Sequence, residues 1–296
     1  MTGDGRMPDE KRMISTENLK EHVARINFDR SPDVGYAGLE QAADYIEKEF
    51  LKIGLDVKEN RFEWQGKPYR NIVAEKTGKT FPSRVLILGA HYDTVPGSPG
   101  ADDNASAISV LLEVARAIQS VSLNYTVRFI AFSLEEYDFA GSAHYVGSLK
   151  QGEEEIVGVI CLETVGFTGP KQNYPPYISP KYYPNVGDFI AIIGNEKSEQ
   201  LFEKVYRTFK ARVPQLPSEF LIVPKNGEAM EEVRLSDHST FWDHGFQALM
   251  ITDTAFLRNP NYHLSSDRME TLDFEFMRKV AIGVYYSLVE LAGEIR

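Results

Sequence analysis

The side chains best suited to chemistry in this chain are acids and imidazoles that each stand just beyond an apolar run. They are His91, Asp93, Asp102, Asp103, Glu135, Glu136, Glu163, Asp237, His238 and His263. Taken singly they have ordinary explanations. A histidine after a strand is usually a hydrogen-bonded loop residue. Asp102-Asp103 before a helix reads first as an N-cap and a partner for the helix dipole. Glu135-Glu136 reads as two surface charges, and Glu163 as a strand-end acid. Together the balance reverses, because four separate buried-looking strands would deliver these groups to one edge of one sheet. Uncompensated, such acids repel one another and their pKa values rise. A shared dication removes that conflict. Mixed nitrogen and oxygen ligation suits Zn²⁺, with Mn²⁺ or Co²⁺ as substitutes, and suits calcium less well.

The tandem glutamates add a mechanistic expectation. Consecutive residues on extended backbone point to opposite faces, so Glu135 and Glu136 are not expected to bind one ion side by side. One can ligate while the other faces the substrate as a base, the division of labour that metal-assisted hydrolysis needs.

Other chemistries lack their residues. The six histidines form no HExxH, and neither G-x-S-x-G, a Walker A sequence nor GxGxxG after a strand occurs. His22 and His144 fall in helix patterns and read as structural. His238 and His244, six apart on a short helical turn, do not share a face. Cys161 is the only cysteine. That excludes an intramolecular disulfide and a cysteine-based zinc site, and its place inside a strand pattern makes it a small core residue.

These groups need a scaffold, and the apolar pattern supplies one. Val85–Leu88 ends in Gly89-Ala90 and releases His91 and Asp93, which is how a buried strand presents polar groups at its carboxyl end. The spacing predicts helices from Thr16, which can cap the first, over Gly38–Leu55 with Gly54 as stop, and over Asn104–Ser120, with Asp103 or Asn104 as N-cap. Strands are expected near Asp56–Trp64, Asn71–Glu75, Arg84–Gly89, Tyr125–Ser133, Ile156–Leu162, Phe189–Ile193, Glu219–Val223 and Ala248–Thr252. Further helices carry His144, span Glu196–Arg212, open at Ser236-Asp237-His238 and close the chain at Asp273–Leu291. Strands and helices alternate almost throughout, which favours an α/β fold: a three-layer αβα sandwich around a mixed, largely parallel sheet. Residues 1–14 read as a flexible lead-in and 15–296 as one domain. Residues 167–187 carry five prolines and four tyrosines without periodicity, the mark of an irregular excursion.

The 43% apolar and 25% charged content is that of a soluble globular chain. A formal net charge of −11 argues against a nucleic-acid surface. No run of 18 apolar residues suits a membrane span, and the polar N-terminus has no signal-peptide core, so the expected compartment is the cytoplasm.

Six pieces in order, HYDTV (91–95), PGADDNASA (99–107), SLEE (133–136), CLETVGF (161–167), SDHSTFWDHG (236–245) and YH (262–263), resemble the zinc aminopeptidase family that also contains glutamate carboxypeptidases and glutaminyl cyclases. The resemblance spans roughly residues 20–292. It implies two zinc ions per chain, with Asp102 bridging them, His91 and Glu163 completing one, and Glu136 and His263 the other. It further implies Glu135 as general base, Asp93 as the carboxylate orienting His91, and Asp103, Asp237 and Tyr262 as neighbours of the metals or of the substrate. Many members carry aspartate where this chain has Glu163, and the extra methylene still permits ligation. The expected activity is an aminopeptidase acting on peptides. A one-zinc glutaminyl-cyclase-like acyltransferase, a carboxypeptidase or dipeptidase of the same fold, and a non-catalytic binding protein are the alternatives. Side-chain preference and oligomeric state are not legible from the sequence.

Overall fold

The computed structural model describes residues 13–150 and 152–295. Its eight strands are β1 (Asp56–Trp64), β2 (Lys67–Lys76), β3 (Phe81–His91), β4 (Tyr125–Phe132), β5 (Glu155–Glu163), β6 (Ile190–Asn195), β7 (Ser218–Val223) and β8 (Ala248–Thr252). They form one sheet in the order β1-β2-β4-β3-β5-β8-β6-β7. The central run β4-β3-β5-β8 is parallel, whereas β1 and β2 are antiparallel and β6 opposes β8. β6 and β7 again run parallel.

β3 and β5 read as apolar runs because both faces are covered, whereas β4 also carries Thr126 and Arg128. Along β3, Leu86 and Leu88 pack into one core while Val85 and Ile87 pack into the other. The larger core lies under α1 (Thr16–Ile26), α2 (Tyr36–Ile53), α3 (Ala107–Ile118), α5 (Glu199–Arg212) and α7 (Phe274–Ala292). The smaller one lies under α4 (Ala140–Ser148) and α6 (His238–Asp243), through Tyr145, Val146, Phe241 and Trp242. The result is the three-layer αβα sandwich.

Three boundaries differ from the pattern, each for a local reason. Ser15, not Thr16, caps α1, accepting from the Asn18 amide, while Thr16 Oγ1 donates to Glu275. Ile14 is fully buried and the Met13 carbonyl accepts from Arg116, so these two residues of the expected lead-in are packed; residues 1–12 lie outside the described residues. The helix expected from Asn104 starts at Ala107, because Asp103 (φ −108°, ψ 86°) and Asn104 (φ −136°, ψ 35°) are non-helical. Neither caps it. Gly54 does end α2 at φ 83°, as the left-handed stop requires.

Candidate metal centre

The carboxyl ends of β3, β4 and β5 lie side by side, and the site is built from residues at or just beyond those ends. His91 and Glu163 are the last residues of β3 and β5. Glu135 and Glu136 come just after β4, past Leu134 in the left-handed region (φ 57°). Asp103 sits in the turn before α3, and His263 (φ 61°) in the loop between β8 and α7.

Two ligand groups result. His91, Glu135 and Glu163 converge in one, and Asp103, Glu136 and His263 in the other. His91 Nε2 lies 3.4 Å from Glu163 Oε2 and 3.8 Å from Glu135 Oε2. His263 Nε2 lies 3.2 Å from Glu136 Oε2. The carboxylate joining the groups is Asp103, with Oδ1 3.2 Å from His91 Nε2 and Oδ2 3.0 Å from His263 Nε2.

This corrects the placement of Asp102. Its Oδ1 accepts from the Gly166 amide (2.9 Å) and its Oδ2 from Asn259 Nδ2 (2.8 Å), so it braces the loop after β5 and faces away from both histidines. The turn decides which acid points where. Asp267 accepts the amides of Asp102 (3.0 Å) and Asp103 (3.1 Å), and Asn104 bonds the Leu162 carbonyl and the Thr164 amide. Gly100 (φ 58°) approaches so closely that a Cβ there would stand 2.3 Å from Thr94 Cγ2 and 2.4 Å from the Asp103 carbonyl. From beneath, the fully buried Arg30 donates to the carbonyls of Tyr92 (2.6 Å), Pro99 (2.8 Å) and Gly100 (3.0 Å).

Asp93 does two things at once. Its Oδ1 is 3.5 Å from His91 Nδ1, and its two oxygens accept the amides of Glu135 (3.0 Å) and Glu136 (3.2 Å). One buried carboxylate therefore orients the imidazole and fixes the tandem glutamates. Those glutamates part to different groups, Glu135 to that of His91 and Glu136 to that of His263, although they stand in a bend and turn rather than on extended backbone. Ser236 Oγ donates to Glu163 Oε2 at 2.8 Å. Asp237 is buried beside the cluster, and burial pushes its carboxyl up to about 7. Tyr262 stacks on His263 with ring centroids 3.8 Å apart. His238 turns away, its Nε2 bonded to the Val233 carbonyl at 2.8 Å.

The electrostatics are those of a cation site. Burial drives Glu135 well above the ordinary carboxylate range, and Glu163 and Glu136 add to it. Glu136 rises to about 8 through burial and the neighbouring Asp103. Burial alone would depress His91, but Glu135 and Glu163 reverse that and hold it well above 6.5. Among the described residues, both ring nitrogens of His91, both oxygens of Asp103, Glu136 Oε1 and His263 Nε2 are buried without a hydrogen-bond partner. Buried polar atoms are rarely left so. A dication between the groups satisfies these atoms, except His91 Nδ1, which faces Asp93, and the nitrogen–oxygen donor set matches zinc.

Sequence reasoning missed Arg30, Asn104, Asn259 and Asp267. None follows an apolar strand, so none carried the signal that exposed the others; only Asn104, beside the acidic pair, was within reach of it.

A family model described as peptidase family M28 matches residues 71–288. The chain belongs to that family. This M28 protein is a metallopeptidase, and so a hydrolase. It is 33% identical to the uncharacterized protein YfbL of Escherichia coli K12, over 94% of this chain and 89% of that one. An 85-residue stretch is 46% identical to aminopeptidase YwaD of Bacillus subtilis, 28% of this chain but only 19% of that longer relative. Among solved structures, the LapA aminopeptidase of Legionella pneumophila superposes at a TM-score of 0.77 and 20% identity, covering 97% of this chain and 74% of LapA. Glutaminyl cyclase of Porphyromonas gingivalis superposes at 0.72 and 21%, covering 94% and 99%. At these identities the structures share the fold with this M28 chain.

Proposed function

We propose that this M28 chain is a di-zinc aminopeptidase, removing N-terminal residues from peptides. The observation that carries the reading is the Asp103 carboxylate, which reaches His91 with one oxygen and His263 with the other. His91, Glu163 and Asp103 would hold one ion, and Asp103, Glu136 and His263 the second. Zinc in such a pair supplies Lewis-acid polarisation of a carbonyl and acidifies water.

The protein's own groups do the rest. Glu135 takes the proton of the attacking water as the new C–O bond forms, and returns it to the amine as the peptide C–N bond then breaks. Its burial among other acids raises its affinity for the proton, which suits a base that must later give that proton back. Asp93 keeps the His91 ring turned and the Glu135 main chain fixed throughout. Tyr262, stacked on His263 at the rim of the adjoining cavity, faces the substrate side. The reading treats residues 15–296 as one catalytic domain, around the single eight-stranded sheet, and places the enzyme in the cytoplasm.

The aminopeptidase name of the YwaD relative supports this activity. A glutaminyl-cyclase-like acyltransferase on one zinc is the nearest competitor, and the second ligand group weighs against it. Zinc-loaded protein should bind two ions per chain and cleave peptides with a free amino terminus but not their N-acetylated forms. Equal cleavage of both forms rules out the aminopeptidase; one ion per chain with cyclisation of N-terminal glutamine supports the competitor.

A further inference from the structure

We propose that the cavity beside the metal centre binds substrate side chains that combine an apolar stem with a cationic tip, lysine or arginine, and that Glu219 selects them. This rests on the aminopeptidase reading and adds the substrate class to it.

The cavity opens from Glu163 and Tyr262 and runs across the sheet to β7. Its floor is a row of register partners. Glu163 pairs with Thr252, Thr252 with Ala191, and Ala191 with Glu219. Paired residues share a sheet face, and all but Ala191 in this row carry polar side chains. Three strand spacings place Glu219 about 14 Å from Glu163 along this row. One carboxylate thus belongs to the metal centre and the other stands at the far end of the same floor. Between them the walls are apolar, with Ile193, Met250, Phe256 and Leu257. A substrate residue held at the metals by its main-chain groups extends a lysine or arginine side chain along this floor toward Glu219, and its methylenes gain from the walls.

The far end fits a cation and not merely another methyl group. Glu219 is half-buried, and among the described residues its carboxylate has no ion pair within 4.0 Å. Tyr174 and Tyr183, from the proline- and tyrosine-rich excursion, close this end with rings 5.7 Å apart. Both phenols are raised first by burial and then by the Glu219 charge, which places that charge beside them. A carboxylate beside two aromatic rings is the environment an ammonium or guanidinium prefers. Glu232 at the same cavity is already engaged by the Tyr177 hydroxyl, whereas Glu219 feels the charge of Lys210 without an ion pair to it within 4.0 Å. A purely apolar side chain filling this cavity would instead desolvate Glu219 without compensation.

The test uses zinc-loaded full-length protein in two assays. The first measures kcat/KM for aminoacyl-nitroanilides bearing Arg, Lys, Leu or Phe. Arginine and lysine should exceed leucine, and Glu219→Gln should lower the arginine-to-leucine ratio roughly tenfold, the scale of one hydrogen bond to a charged group. Glu219→Lys should lower it further. Glu203→Gln, which removes an exposed charge on α5 outside the cavity, should leave the ratio alone and so separates a local contact from the overall negative field. The second assay measures calorimetric binding of free arginine and of norleucine. Arginine should bind more tightly, and Glu219→Gln should abolish the difference. Leucine or phenylalanine equalling arginine in the first assay, or a ratio unmoved by Glu219→Gln, overturns the proposal. If no free-amino peptide is cleaved, the aminopeptidase reading fails alone, and the binding assay decides the pocket: norleucine binding as tightly as arginine overturns it.

Discussion

Asp267 grips the main chain of Asp103: its Oδ2 accepts the Asp103 amide at 3.1 Å while its Oδ1 accepts the amide of Asp102 at 3.0 Å. Two adjacent amides aimed at one fully buried carboxylate set the turn, and the turn sends Asp103, rather than Asp102, between the two histidines. Asp267→Asn presents an amide donor to one of those N–H groups and should release the turn. Groups that orient metal ligands commonly contribute 10–100-fold to metal affinity. Zinc affinity measured against a competing chelator should fall by about that factor; an unchanged affinity would show that the turn holds without Asp267.

The neighbouring acids can be told apart directly. Asp103→Asn removes the one carboxylate that reaches both ligand groups, and should lower bound zinc below two per chain by elemental analysis. Asp102→Asn touches only the Gly166 amide and the Asn259 amide group. It should keep its zinc and lose thermal stability instead. The reverse pattern would return the bridging role to Asp102.

That pair also marks where the sequence stops being legible. His91, Glu135, Glu136 and Glu163 are readable because each follows an apolar strand, and a strand's carboxyl end is where such sheets place ligands. His263 follows no strand and enters through the short motif it shares with a family. The choice between Asp102 and Asp103 depends on backbone dihedrals set by Asp267, some 160 residues away by sequence, and no local pattern reports such a bond. Arg30 is hidden for the same reason: an arginine whose partners are main-chain carbonyls leaves no periodicity, although it braces the turn from below. The fold is easier, because burial of both faces of β3 and β5 writes itself as apolar runs, and β4 departs from this at Thr126 and Arg128. The helix after Asp103 begins three residues later than its pattern predicts, since the first turn is wound for the site rather than for hydrogen bonding.

Glu135 and Glu163 both approach His91, so binding and base roles must be separated by experiment. Glu135→Gln keeps the size and hydrogen-bonding shape of the side chain but cannot accept the proton of water. If Glu135 is the base, zinc content stays at the wild-type value while kcat falls by about 10²–10⁴-fold, the usual worth of general base catalysis. A matching loss of zinc would instead make Glu135 a ligand, and retained activity with full zinc would remove it from the reaction.

Far from the metals, Glu113 on α3 ties down the N-terminal helix. It is fully buried and receives Arg116 Nε (2.7 Å), Arg116 Nη2 (2.9 Å), Asn18 Nδ2 (2.9 Å) and the Ser15 amide (3.0 Å). His22 Nε2 also faces it at 3.9 Å. Burial pushes its carboxyl up, but these donors outweigh burial and hold it below the ordinary 4.5. A carboxyl depressed in the folded state binds its proton more readily when unfolded, so its stabilisation is present above the unfolded value and lost as pH falls through the folded one. Glu113→Gln should therefore cost about 1–3 kcal/mol near neutral pH, where a charged acceptor is lost from a buried cluster. The gap between wild type and variant, read from urea unfolding, should hold through neutral pH. It should close only as the pH drops below 4.5, where the native glutamate also takes up a proton and comes to resemble glutamine. A gap independent of pH would mean that Glu113 acts by packing rather than by charge.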